Sequence, residues 1–123
     1  MQDADEQVIY HMAPRAMWEA QRDQSHFAPP SLTVEGFIHC TAEPEKLLQV
    51  ANRFYREMPG PFIIVCIAPQ RLDAALRWEL ADGHSFPHIY GPLNREAVNR
   101  ILPFPRQADH SFSLPSELKG ERS

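Results

Sequence analysis

Between residues 44 and 58, apolar side chains recur at Leu47, Leu48, Ala51, Phe54, Tyr55 and Met58. The spacing i, i+1, i+4, i+7, i+8, i+11 predicts one stripe of an amphipathic helix. Gln49, Asn52, Arg53, Arg56 and Glu57 form its polar side. Thr41 is placed to cap this helix, Pro44 is tolerable in its first turn, and "MPGP" stops it. The next run, "FIIVCIA" at 62–68, is continuously apolar and predicts a strand buried on both faces. "LRWEL" at 76–80 alternates instead. Leu76, Trp78 and Leu80 would share an apolar face with Trp78 in the core, and Arg77 and Glu79 would face something polar.

Three further strands are expected: "QVIYHM" at 7–12, "GFIHCT" at 36–41 and "VNRILPF" at 98–104, the last ended by Pro103 and Pro105. Pro14 opens a helix to about Gln24 with Met17 and Trp18 inward. Pro29 and Pro30 make residues 25–34 read as a loop. "PQRLDAA" reads as a short helix or turn, "ADGHS" as a loop, "HIYG" as a short strand and "LNREAV" as a helical turn. Beyond about Pro115 a frayed tail is expected. Strands not separated by helices favour an α+β domain over a doubly wound sheet. The expected organisation is one domain over 1–123, with its core at about 7–114 and a flexible tail at 116–123.

Composition changes this picture little. A chain of 123 residues, 43% hydrophobic and 23% charged, has the make-up of an ordinary globular domain. Its net charge of −4 gives no electrostatic footprint for nucleic acid or an anionic membrane, so small molecules or proteins are the expected partners. Cys40 and Cys66 lie inside apolar runs and form no C-x-x-C pair, which predicts buried, reduced thiols. "MQDADEQ" lacks the basic and apolar regions of a signal peptide. No apolar run approaches the roughly 20 residues that span a bilayer. A cytoplasmic protein without a membrane segment is expected; the oligomeric state stays open.

The candidate chemistry lies in histidines set among apolar residues. Alternation puts Phe37, His39 and Thr41 on one face of their strand, with Ile38 and Cys40 on the other. It therefore separates His39 from Cys40 and rules out a dyad between them. His88 and Tyr90 share a face, as do Ile9 and His11. A histidine in a strand also serves as a satisfied structural residue. Three of them together with Glu79 strengthen the case for a shared cleft of His11, His39, Glu79, His88 and Tyr90. Three chemistries compete for it. A metal site has the ligand types but lacks H-x-H and H-E-x-x-H spacing. A hydrolase could draw on Asp82, His84 and Ser85, but they crowd one loop without nucleophile-elbow glycines. A nucleotide or sugar site uses histidine, tyrosine and carboxylate without a covalent nucleophile. G-x-G-x-x-G and P-loop motifs are absent, which excludes those phosphate-binding modes.

The segments "IYHM", "EGFIHCT", "ANRFYR", "LRWEL" and "FPHIYGPLNREAV", in this order over about residues 7–114, resemble a family of small bacterial proteins classed as a domain of unknown function (number nine-five-two). The resemblance implies an α+β fold like the catalytic core of ADP-ribosyltransferases, including the RNA 2′-phosphotransferase branch that consumes NAD. That fold has small antiparallel sheets around a cleft holding NAD, with flanking helices. It implies NAD as co-substrate and an NAD-dependent ADP-ribosyl or phosphoryl transferase acting on an acceptor the resemblance does not name; with the metal-ligand spacings lacking, no metal is expected. The matching positions imply His39, Glu79 and His88 as catalytic residues, with Glu79 or His88 in the third catalytic role. They imply His11, Thr41, Arg77 and Tyr90 as NAD-binding residues. A metal-assisted hydrolase and a non-catalytic binding or interaction domain remain as alternatives.

Overall fold

The computed structural model describes residues 7–119. All six residues of strand β4 (Phe62–Ile67) are buried, as its unbroken apolar run predicts. It lies between β1 (Ile9–Pro14) and β8 (Val98–Phe104), antiparallel to both. Its side chains alternate between two cores. Ile63, Val65 and Ile67 join Ile9 and Ala13 on one side, while Phe62, Ile64 and Cys66 join Leu102 and Phe104 on the other.

A second antiparallel sheet closes the first core. Its strands are β3 (Ile38–His39), β5 (Ala75–Ala81) and β6 (His84–Tyr90), in the order β3-β6-β5. Ile38, Cys40 and Ile89 enter the core from it, and Phe27 and Leu93 enter from the short pair β2 (His26–Phe27) and β7 (Leu93–Asn94). Helix α3 (Pro44–Phe54) closes the second core with Leu47 and Ala51, helped by Phe112 and Leu118. The architecture is thus α+β with small antiparallel sheets. Both cysteines are free and buried, and burial raises the pKa of each thiol.

Several elements differ from the sequence reading, each for a local reason. Helix α1 (Arg15–Ala20) is shorter than expected and takes Pro14 as its N-cap; Met17 and Trp18 do pack against the core. Residues 25–34 are not a loop. They hold β2 and the start of α2 (Pro30–Glu35), whose first position tolerates Pro30 because the missing N–H would have no helical partner there. Thr41 does not cap α3. Glu43 stands at that position, and Thr41 instead exchanges two 2.8 Å backbone bonds with Tyr10. The expected stripe fails at its end: Phe54, the last residue of α3, and Met58, beyond the helix, are exposed.

Trp78 is not core: it is 44% exposed, and Leu80 is 80% exposed. β5 is an edge strand and outruns what packs beneath it, so only Leu76 of that face meets the core. Residues 93–97 form β7 and a 3₁₀ turn, Arg95–Ala97. The first residues of the expected tail are structured. Ser116–Leu118 is a 3₁₀ turn that buries Leu118, while residues 120–123 lie outside the described residues. Among the described residues, no helix is long and apolar enough to cross a membrane.

Candidate functional site

Strand register builds the site. His39 pairs with His88 between β3 and β6, and His88 pairs with Arg77 between β6 and β5. Paired residues point to one side of a sheet. His39, His88 and Arg77 therefore form a row, and alternation adds Phe37, Glu79 and Tyr90 to the same face. The opposite face, with Ile38, Ile89 and Leu76, meets the core.

On this outer face Glu79 is the acceptor of a small network. His88 Nδ1–H and Tyr90 O–H each donate to Glu79 Oε1 at 2.7 Å. These bonds, that from His88 first, hold the Glu79 carboxyl below its usual range, and the bond between Tyr90 and Glu79 raises the Tyr90 phenol. In the neutral ring, donation from Nδ1 leaves the His88 Nε2 lone pair available. Arg77 places its guanidinium 5.0 Å from the centre of the Tyr90 ring. Phe37 stacks on His88 at 4.2 Å and meets the His39 ring edge-on at 4.7 Å. The two imidazoles stand 5.4 Å apart.

His39 is held by Glu35, whose carboxylate accepts from Nε2. Gly36 makes this possible. Its φ of 88° lies in the left-handed region, so the chain turns from α2 directly into β3 and Glu35 comes back over His39.

His11 reaches the site from β1. Its Nδ1–H donates to the backbone carbonyl of His39 at 2.7 Å. The acceptor is a carbonyl, so the neutral ring carries its proton on Nδ1 and presents a lone pair at Nε2. Among the described residues that buried Nε2 has no partner. Burial, only partly offset by the bond to His39, pushes the pKa down to about 4, so the ring is neutral at pH 7. His11, His39 and Thr41 line an open groove of about 200 Å³ whose other walls include Met17, Val50 and Phe62.

The expected residues thus fall into two adjoining parts joined at His39. His11 and Thr41 lie in the groove; Arg77, Glu79, His88 and Tyr90 lie on the sheet face. Phe37 and Glu35 were missed as site residues. Phe37 had a signal, since alternation already put it beside His39. Glu35 had none, because its reach depends on the turn at Gly36. The hydrolase grouping does not form: His84 pairs with Glu43 at 3.0 Å, while Asp82 sits in the hairpin turn 3.9 Å from Arg53. Among the described residues no three His, Cys, Asp or Glu side chains gather as a metal site.

These features define a class: small α+β domains with a twice-buried central sheet and a second sheet carrying histidine–carboxylate pairs on its outer face. Within it, this chain belongs to the family described as "Protein of unknown function (DUF952)", whose pattern matches residues 12–101. The crystal structure of protein CC0527 from Caulobacter crescentus is similar, with a TM-score of 0.79 and 29% identity over 90% of this chain and 97% of that one. The solution NMR structure of CC0527 gives a TM-score of 0.69 and 29% identity, covering 85% of this chain and 90% of that one. A comparison with curated proteins finds no match.

Proposed function

We propose that this site binds a nucleotide, with NAD as co-substrate, and transfers its ADP-ribosyl group in the manner of ADP-ribosyltransferase-like folds. The observation that carries the reading is the Glu79 network: a carboxylate kept ionised by His88 and Tyr90, beside aromatic rings, on an open sheet face. The unpartnered Nε2 of His11 fits the same ligand, since a ribose hydroxyl is a donor that would satisfy it.

Bound NAD would supply an activated glycosidic bond, which breaks with the bonding pair leaving on the nicotinamide nitrogen. Glu79 faces the positive charge that develops at the ribose, as carboxylates do in glycoside hydrolysis. His88 Nε2 takes the proton of the attacking acceptor group while Glu79 holds Nδ1–H in place. Glu79 and His88 then work as one unit, and the third catalytic role belongs to the pair. His39, fixed by Glu35, orients the ribose from the other side. His11 and Thr41 anchor the groove end, and Tyr90 with Arg77 forms the wall against which nicotinamide stacks.

Calorimetric titration of NAD⁺ tests this. Wild-type protein should bind in the micromolar to millimolar range, about −8 to −4 kcal/mol. His39→Ala should weaken binding in folded protein. Glu79→Gln should retain binding but lose nicotinamide release. Absence of heat from folded wild type overturns the NAD reading. Binding without nicotinamide release in any condition makes the site a nucleotide-binding module.

A further inference from the structure

β5 reads Ala75-Leu76-Arg77-Trp78-Glu79-Leu80-Ala81. About Trp78 it is self-complementary: alanine mirrors alanine, leucine mirrors leucine, and Arg77 mirrors Glu79. Among the described residues the strand is also an unpaired edge, bonding only to β6. The two-residue turn at Asp82 and Gly83, both at positive φ, makes Ala81 and His84 the closing pair of the hairpin. Antiparallel alternation then directs the N–H and C=O groups of Ala75, Arg77, Glu79 and Ala81 toward β6. Those of Leu76, Trp78 and Leu80 point outward.

We propose that two copies of this chain pair antiparallel through β5, two-fold about Trp78, joining their outer sheets into one. In that register Trp78 opposes Trp78 of the second copy, and each Leu76 opposes the other copy's Leu80. These three outward-bonding positions meet as hydrogen-bonded pairs and bring their apolar side chains together on one face. On the other face each Arg77 opposes a Glu79. Sliding the strands by two residues one way sets Arg77 against Arg77; sliding them the other way sets Glu79 against Glu79. Like charges directly opposite destabilise a pair, so the charges select the two-fold register.

The remaining edges are blunted in ways natural sheets use against pairing, and β5 is not. β8 carries Pro103, β1 ends at Pro14 and is bridged at Tyr10 by Thr41, and β3 is two residues long. β5 has seven residues, no proline, no lysine and no bulge against β6. It bears Trp78 and Leu80, whose exposure of 44% and 80% has no explanation within one copy. The pairing sets these apolar side chains against one another across the seam. It also sets a second copy's Arg77 beside Glu79 of the site, although the inference does not depend on the NAD reading.

Sedimentation equilibrium over a concentration series decides the matter. Wild type should shift from the 14.1 kDa monomer to twice that mass as concentration rises. Leu80→Lys should stay at the monomer mass with an unchanged circular dichroism spectrum, because Leu80 is exposed in one copy. Trp78→Pro should do the same, since the N–H it removes points outward and bonds nothing in β6. R77E and E79R should each be monomeric, and an equimolar mixture should recover the dimer mass, because every cross-strand pair is again opposite in charge. If E79R does not fold, Leu80→Lys and Trp78→Pro decide alone. A wild type that stays at monomer mass overturns the proposal, as does a dimer that survives both of those variants.

Discussion

His11 is a neutral imidazole at pH 7 that the folded protein protonates only near pH 4, whereas the unfolded chain takes a proton near 6.5. Between these values the unfolded state binds more protons, so stability falls as pH falls. The loss is fully developed below about pH 4 and amounts to at most roughly 3 kcal/mol from this residue. Urea unfolding from pH 7 to pH 4 should show that slope, and His11→Gln should flatten it. Glu79 has the opposite geometry but the same acid trend. Its carboxyl is held low by His88 and Tyr90, so its contribution is present above the ordinary carboxylate range and is lost as pH falls through the lower folded value. Tyr90→Phe removes one of the two donors to Oε1. The Glu79 titration should then move upward in carboxyl-detected NMR, while His88 keeps its own bond. No upward movement would mean that the phenol does not stabilise the charge.

At the scale of elements, the readable parts of the sequence were those whose pattern has one physical meaning. A seven-residue apolar run bounded by Gly-Pro and Pro-Gln had to be a buried strand, and β4 is one. The i, i+4 spacing of Leu47 and Ala51 had to be a core-facing helix face, and α3 buries both. Where one pattern has two meanings, the reading failed. A proline pair breaks a strand but opens a helix, and Pro29 and Pro30 open α2. Alternation in β5 identified an apolar face without identifying what covers it, hence the misplacement of Trp78. For the site, alternation placed Phe37, His39, His88 and Tyr90 correctly relative to their own strands. The pairing of β3 with β6, which brings the two histidines together, depends on contacts far apart in sequence and left no local mark.

Gly91 marks the exit from β6. A Cβ added there would lie 2.8 Å from the Cβ of Ala74, on the segment leading into β5. Gly91→Ala should therefore cost about 1–3 kcal/mol in denaturant unfolding, the usual range for overpacking. Because the strain falls beside Tyr90, it should also disturb the Tyr90–Glu79 bond. An unchanged unfolding midpoint would show that the two segments separate freely.

The whole molecule is closed by its C-terminal segment. Phe112 and Leu118 cover the α3 side of the central sheet, and Asn52 fastens that segment through bonds to both the N–H and the C=O of Phe112. Leu118→Ala should destabilise the protein by about 2–3 kcal/mol, the lower part of the range for buried leucine. A change within experimental error would return this segment to the status of a tail. Composition alone gave little warning, because "SELKGERS" is polar around a single leucine.

The position of β4 has a consequence for how the protein opens. Its alternate side chains belong to two cores, and both of its edges are hydrogen-bonded, so neither core can come apart while the other keeps β4 intact. Amide protons of Ile63 through Cys66 should exchange with solvent only when the entire chain unfolds, and their exchange should report the global free energy. The outward amides of Leu76, Trp78 and Leu80 sit at the other extreme. In an isolated copy they should exchange freely, and a slowing with rising protein concentration would mark the moment that edge finds its own likeness.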